Sequence, residues 1–273
     1  PDTQIWFGGP EVTYDSESVI LKNKCIKGVM TGEGEETFSE LTRAYAEEYK
    51  VGKREVRDEE LLKIRGISFR KADGQIITTM RRPLIDMDTL NFVYEDISKF
   101  ENRIIYYESS RGCPFGCSYC LSSIERSVRF RSLEKVKPEL KFLLEKNVPQ
   151  IKFVDRTFNC NHERTKELLK FILENDNGVT NFHFEAAADL LDEEEIEIMA
   201  AMRPGLIQLE IGVQSTNPVT IKEIDRVMDF EKVSSVVRKI NAAGNIHQHL
   251  DLIAGLPSED YNTFIKSFND VYS

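Results

Sequence analysis

Three cysteines, Cys113, Cys117 and Cys120, stand close together at C-x3-C-x2-C spacing. Thiolates this close in sequence can bind three corners of one small iron–sulfur cluster. A cubane cluster is usually held by four cysteines, so three would leave one iron open to a ligand that is not protein. We therefore predict a four-iron four-sulfur cluster, written 4Fe-4S, with one iron available to a small molecule.

Other chemistry for the same cysteines stays open at this point. A structural zinc site takes four Cys or His ligands, and the next ones along the chain, Cys160 and His162, lie well beyond the motif. An electron carrier or structural iron–sulfur protein would also need a fourth protein ligand, for which Cys160 is the candidate. A module that has lost its chemistry is a third interpretation, against which the intact cysteines argue.

The same stretch resembles the signature of radical S-adenosylmethionine (radical SAM) enzymes, in which an aromatic residue precedes the third cysteine, as Tyr119 does here. The resemblance implies that S-adenosylmethionine chelates the open iron. It also implies that an electron from the cluster cleaves a C–S bond to release a 5′-deoxyadenosyl radical, while the protein orients the cofactors. A reductant such as flavodoxin or ferredoxin is implied, with a substrate that the sequence does not identify. A methylthiotransferase is disfavoured, because that family has a second cysteine cluster upstream and only Cys25 precedes the motif here.

Composition limits the class of protein. The chain has 273 residues, of which 41% are hydrophobic, and a net charge of −10. This content can build a sizeable core, and the negative charge argues against a nucleic-acid partner held on a broad basic face. Five cysteines with three in one motif do not form a disulfide framework. With no signal peptide and no apolar run of membrane-spanning length, we predict a cytoplasmic protein.

From residue 103 onward, strand and helix patterns alternate regularly, which predicts a parallel sheet. The expected strands cover 103–108, 150–154, 180–185, 206–212 and 246–253, and the expected helices cover 132–147, 162–175, 192–202 and 229–243, with a last one from 258. The predicted fold class is α/β. The resemblance makes residues 101–273 a partial (β/α) barrel of the radical SAM type that is truncated at its C-terminus.

The preceding residues predict a smaller α/β segment. Residues 1–50 alternate as β-α-β-α and resemble the C-terminal half of the cobalamin-binding domain that precedes some radical SAM domains. That domain ligates cobalamin through a histidine, and the first histidine of this chain is His162. Cobalamin is therefore expected only in a longer, intact protein. Residues 51–100 are predicted to be a linker with a hairpin turn at 71–75.

Strand alternation separates an apolar face from a polar one. Phe182 and Phe184 oppose His183 and Glu185, and the next two strands show the same division. Only the apolar face suits the helices, so the polar face should point into the barrel. Barrel interiors are usually filled with aliphatic side chains, and buried polar groups need partners. We predict a cavity for a polar molecule at the strand C-termini; a self-satisfied hydrogen-bond network is the alternative.

The resemblance also implies cofactor contacts. Asp155 is the candidate for the methionine amino group of S-adenosylmethionine, and Arg226 is the candidate for its carboxylate, which suits a guanidinium fork. Ile253 and the backbone of Tyr119 are candidates for the adenine.

Carboxylates are natural acceptors for ribose hydroxyls. Glu210 and Gln214 are the resemblance-based candidates, with Glu185 as a second choice. A metal site is an alternative use of the inward polar residues, formed by Glu185 with His183, His247 and His249.

Overall fold

The computed structural model describes residues 3–272. The chain divides into two compact units, of which the first ends at Ile85 and the second begins at Asp86. This boundary falls within residues 51–100, the segment that was predicted to be a linker. No helix among residues 3–272 combines the length and apolar character needed to cross a membrane.

The first unit contains a four-stranded sheet with strand order β1-β2-β3-β4. Strands β1 and β2 are parallel, and the other two pairs are antiparallel. Its strands are β1 (Trp6–Phe7), β2 (Gly28–Met30), β3 (Ile67–Arg70) and β4 (Ile76–Thr78). Its helices are α1 (Pro10–Thr13), α2 (Ser16–Lys22), α3 (Glu35–Lys50) and α4 (Asp58–Leu61).

The hairpin that the sequence assigned to a linker is part of this sheet. Strand β3 pairs with β2 along its length. Ile67 and Phe69 of β3 are fully buried in one apolar cluster with Leu41 of α3. A hairpin pattern shows that two strands pair with each other, but it does not show that a third strand joins them. The hairpin therefore belongs to the first unit rather than to a connector.

The second unit is built on five parallel strands in the order β11-β10-β9-β8-β5. The strands are β5 (Ile105–Tyr107), β8 (Gln150–Phe153), β9 (Asn181–Ala186), β10 (Ile207–Gln214) and β11 (His247–Leu252). The helices are α5 (Leu133–Glu145), α6 (His162–Glu174), α7 (Glu193–Ala200), α8 (Pro218–Glu223), α9 (Phe230–Ala243) and α10 (Tyr261–Tyr272). The predicted α/β fold with a parallel sheet is confirmed, and α8 is a helix that the sequence pattern missed.

The apolar face of this sheet forms the core, as the alternation predicted. In β10, Ile207, Leu209, Ile211 and Val213 are buried, while the residues between them are partly exposed. Aromatic rings fill the centre of the sheet. The ring centroid of Phe184 lies 4.7 Å from that of Phe153. The Phe184 ring also stacks on the ring of Phe158, with 3.9 Å between the two centroids.

The three motif cysteines lie on a loop that a short ribbon closes. Strands β6 (Ser110–Arg111) and β7 (Arg129–Phe130) pair antiparallel and form its neck. Gly112 follows the ribbon with φ of 101°, a conformation that only glycine adopts readily. A Cβ at Gly112 would lie 2.3 Å from the backbone oxygen of Ser127. The loop therefore packs too closely at this point to admit a side chain.

Replacing Phe184 by alanine tests the aromatic core. Phe184 is fully buried, so its truncation leaves a cavity, and we expect the free energy of unfolding to fall by about 3–5 kcal/mol. Denaturant unfolding followed by near-ultraviolet circular dichroism measures this change. The control is Phe268→Ala in α10, where the ring is 52% exposed and the loss should stay below about 1 kcal/mol. Equal losses in the two variants would contradict this view of the core.

Gly112→Ala tests the close approach in the cysteine loop. The added Cβ meets fixed backbone and a backbone angle unsuited to alanine, so we expect a stability loss above about 2 kcal/mol. Gly178→Ala is the matched control, because Gly178 has φ of 76° but no atom within 4 Å of its added Cβ. The control should lose only about 1 kcal/mol. Thermal unfolding of both variants measures the difference, and a Gly112→Ala protein as stable as its control would disprove the steric argument.

Candidate functional site

One cavity of about 250 Å³ in the second unit brings the cysteine loop together with the C-terminal ends of four parallel strands. Because parallel strands end at the same edge of a sheet, their last residues and the loops that follow converge there. Its polar and sulfur-bearing lining includes Cys113, Cys117, Tyr119, Cys120, Arg156, Thr157, Glu185, Glu210, Gln214, Arg226 and Asp251. The polar strand faces therefore border a cavity, as the sequence pattern indicated.

The three motif cysteines are free thiols, two of them buried and Cys120 partly exposed. The sulfur of Cys113 lies 3.6 Å from the Thr157 hydroxyl, at the end of β8. Cys117 lies 3.7 Å from a guanidinium nitrogen of Arg226. The backbone N–H of Cys120 donates to the carbonyl of Cys117 at 3.1 Å. The loop thus presents all three thiols to one cavity.

The three thiols are not gathered as closely as the ligands of one bound zinc ion would be. A tetrahedral site with Zn–S bonds of about 2.3 Å holds its sulfurs about 3.8 Å apart. Among residues 3–272, three metal-binding side chains with ligand atoms all within 4.8 Å occur at His162, Asp192 and Glu195, and the cysteines do not form such a group. Those three residues are already engaged, because Asp192 and Glu195 cap α7 reciprocally and Glu195 contacts His162 at 3.2 Å.

Cys160 does not line the cavity. Its N–H donates to the carbonyl of Thr157 at 3.3 Å, just after β8. Burial raises the pKa of the Cys160 thiol, and the nearby Asp155 carboxyl raises it further. Cys160 thus lies outside the cavity that the three motif thiols line.

Glu210 projects from β10, and two neighbouring side chains, Lys152 and His183, contact its carboxylate. Lys152 contacts one of its carboxylate oxygens at 3.1 Å, and Nε2 of His183 contacts the same oxygen at 2.9 Å. Burial alone would raise the pKa of Glu210, but these two partners together lower it below its usual value. Glu210 is thus a fixed carboxylate that is ionised at neutral pH.

Glu185 and Asp251 flank Glu210 on the neighbouring strands. Glu185 of β9 is the register partner of Glu210, and Asp251 of β11 is the partner of Gly212. Burial raises the pKa of both carboxyl groups, and Glu210 adds to the rise. In the described part of the chain neither carboxyl group has a side-chain hydrogen-bond partner, so both can accept from a ligand.

Gln214 and Arg226 carry buried polar atoms without partners. The Gln214 side-chain oxygen and the Arg226 Nε are both buried and make no hydrogen bond among residues 3–272. Gln214 also has φ of 73°, at a register shift between β10 and β11. Both residues line the cavity, so a ligand with hydrogen-bonding groups there would supply the missing partners.

Arg226 contacts both the end of β10 and the cysteine loop. Its guanidinium donates to the carbonyl of Gly212 and lies 3.3 Å from the hydroxyl of Tyr119. Burial raises the pKa of Tyr119 to about 12, although Arg226 acts in the opposite direction. The phenol is therefore neutral and can donate or accept beside a permanent positive charge.

Two of the predicted cofactor contacts lie elsewhere. Asp155 is only 1% exposed, and its carboxylate accepts hydrogen bonds from Ser109 and Ser110 instead of reaching the cavity. The side chain of Ile253 is not part of the lining, although its N–H donates to the carbonyl of Gln214 at 3.0 Å. Alternation along a strand predicts a face, but it does not predict whether a neighbouring loop already occupies that face.

The histidines of the alternative metal site do not converge. His183 is buried against Glu210, whereas His247 and His249 are exposed on β11 and contact each other edge to face. Arg156 and Thr157 also line the cavity, although the sequence pattern did not mark them as site residues. The sequence distinguished these two residues only by their position just after β8. Any side chain at that position would border the C-terminal edge of the sheet.

Comparison with known proteins agrees with this architecture. The model of the radical SAM superfamily matches residues 107–271. An uncharacterized methyltransferase of Pyrococcus horikoshii is 28% identical over 265 residues, which cover 93% of this chain and 54% of that protein. This chain therefore spans about half the length of that relative.

Two solved structures share the fold over 98% of this chain. The radical S-adenosylmethionine methyltransferase TsrM from Kitasatospora setae, with cobalamin and a [4Fe-4S] cluster bound, superposes with a TM-score of 0.75 at 17% identity and is covered to 54%. The cobalamin-dependent radical enzyme OxsB, with aqua-cobalamin and S-adenosylmethionine bound, gives 0.74 at 19% identity and is covered to 39%. With its family match over more than half of its length, the chain belongs to the radical SAM superfamily.

Proposed function

We propose that Cys113, Cys117 and Cys120 hold a 4Fe-4S cluster and that the adjoining cavity binds S-adenosylmethionine for reductive cleavage. The observation that carries the proposal is the convergence of three free thiols with unpaired buried polar atoms on one cavity. The donor set fits, since three thiolates leave a coordination site of a cubane cluster to a small molecule. When bound, these two cofactors supply a 5′-deoxyadenosyl radical.

The cavity offers complementary partners for the charged ends of S-adenosylmethionine. Arg226 lies beside Cys117 and can pair with the methionine carboxylate through its planar fork. The carboxyl groups of Glu185 and Asp251, which have no side-chain hydrogen-bond partner among residues 3–272, can accept from the ammonium and the ribose hydroxyls. Glu210 is already oriented by Lys152 and His183, so it needs little reorganisation to accept a further hydrogen bond.

A second candidate function is methyl transfer through cobalamin in the intact protein. It is favoured by the likeness in fold to TsrM and OxsB, both named as cobalamin-dependent or cobalamin-bound. The first histidine of this chain is His162, so the first unit offers no imidazole to the cobalt. A flavodoxin or ferredoxin would supply the electron.

Substitution of the cysteines tests the ligand set. We expect Cys113→Ala, Cys117→Ala and Cys120→Ala each to abolish a reconstituted cluster, because two thiolates cannot hold a cubane. Cys160→Ala is the control and should bind as much iron and sulfide as the wild type. Iron and sulfide analysis with electron paramagnetic resonance (EPR) of the reduced protein measures both. Loss of the cluster in Cys160→Ala would favour the electron-carrier alternative.

Anaerobic turnover tests the chemistry. We expect the reconstituted chain, reduced with dithionite, to convert S-adenosylmethionine to 5′-deoxyadenosine and methionine, measured by liquid chromatography with mass spectrometry. Arg226→Met should weaken S-adenosylmethionine binding by about tenfold or more, because the carboxylate loses a charged partner. Lys232→Met, on the outer helix α9, is the matched control and should bind normally. A fully reduced cluster that neither binds nor cleaves S-adenosylmethionine would refute the proposal.

A further inference from the structure

Asp155 is a buried carboxylate that the cavity does not use. It lies just beyond β8 and is 1% exposed. Removing a carboxylate from water is costly unless hydrogen bonds replace the lost solvation. Burial accordingly raises the pKa of Asp155, while hydrogen bonds from Ser109 and Ser110 act to lower it. The buried Asp155 carboxylate therefore depends on its hydrogen-bond partners for stabilisation.

The partners of Asp155 lie immediately before the cysteine loop. One carboxylate oxygen accepts the backbone N–H of Ser109 at 2.7 Å. The other accepts the hydroxyls of Ser109 at 2.6 Å and of Ser110 at 2.8 Å. Ser110 opens β6, one side of the ribbon that closes the loop. All three hydrogen bonds therefore act on the neck of the segment that carries the thiols.

Neighbouring contacts hold the same neck. The carbonyl of Ser109 accepts the N–H of Arg131 at 2.9 Å and a guanidinium hydrogen of Arg164 at 3.2 Å. The Arg164 guanidinium also lies over the ring of Phe130, 5.1 Å from its centroid. Two residues beyond Asp155, the Thr157 hydroxyl contacts the sulfur of Cys113. The end of β8 thus contacts the loop at its neck and at its first thiol.

We propose that Asp155 is the positioning residue of the cysteine loop, anchoring its neck to the end of β8 so that the three thiols are preorganised for the cluster. The inference rests on the proposed function, since it concerns the same cluster. It assigns Asp155 a role different from the contact with S-adenosylmethionine that the sequence implied. Asp155 does not line the cavity, and in this role it acts through Ser109 and Ser110.

The test compares Asp155→Ala with Asp155→Asn after anaerobic reconstitution. Asp155→Ala leaves the Ser109 N–H and two hydroxyls without their acceptor, so we expect iron to be lost to a chelator about tenfold faster than from the wild type. In Asp155→Asn the amide oxygen can still accept the N–H of Ser109. Its NH₂ group can donate to the two hydroxyls once they rotate. This variant should recover most of the wild-type retention and its EPR spectrum.

Glu195→Ala is the matched control. Glu195 is an equally buried carboxylate, but its partners are Asp192 and His162 at the starts of α7 and α6. Its removal should lower the melting temperature and leave iron loss unchanged. Wild-type iron loss in Asp155→Ala would overturn the inference, as would failure of Asp155→Asn to recover.

The remaining outcomes are also decisive. If Asp155→Ala does not fold, the double variant Ser109→Ala/Ser110→Ala decides, because it removes two of the three hydrogen bonds and leaves the carboxylate in place. Faster iron loss in the double variant supports the anchor, and an unchanged rate refutes it. A wild-type chain that retains no iron would refute the proposed function itself, whereas a wild type that retains iron with insensitive variants would refute the anchor alone.

Discussion

The requirement that one face of the parallel sheet be buried beneath helices governs the second unit. Apolar side chains of β8, β9 and β10 occupy that face, where Phe153, Phe182 and Phe184 are fully buried. Successive residues of a strand point to opposite faces, so the residues between them must face the other way. That second face holds Lys152, Glu210 and Gln214, and its C-terminal end borders the cavity. The polar site is thus a geometric consequence of core formation.

On the polar face of the sheet, some polar side chains hydrogen-bond to one another and others have no such partner among the described residues. Lys152 and His183 both contact one carboxylate oxygen of Glu210, as members of a self-contained network would. In the described part of the chain the carboxyl groups of Glu185 and Asp251 have no such partners, and burial raises the pKa of each. Three carboxyl groups in one cavity therefore differ in protonation tendency because their surroundings differ. This division gives the site one prearranged anion and two groups that can adjust to a ligand.

Residues within the cysteine loop determine its backbone conformation, and contacts with the rest of the second unit determine its position. Its shape follows from local features, such as the positive φ of Gly112 and the ribbon of β6 and β7. Its position follows from long-range contacts with the end of β8 and with Arg226, which follows α8. A cluster site needs both, because thiols on a flexible segment would lose conformational entropy on binding.

The sequence by itself determined the elements and the chemistry of the motif. Cysteine spacing predicted the cluster ligands and indicated the family, since ligands within one short loop need no tertiary information. Strand alternation predicted the five parallel strands and the two faces of the sheet, because the period of two is a local property of the backbone. It did not assign the hairpin strand β3 to the first sheet, since pairing with β2 depends on residues distant along the chain.

Tertiary structure alone decided which polar residues meet. Asp155 and Glu185 are both acidic and both lie near the ends of strands. The Asp155 carboxylate accepts hydrogen bonds from the serines before the cysteine loop, whereas Glu185 lines the cavity. His183, His247 and His249 share one face by periodicity, but only His183 is buried. A side chain's partners depend on what folds against it, and distances between distant segments are set by packing rather than by local sequence.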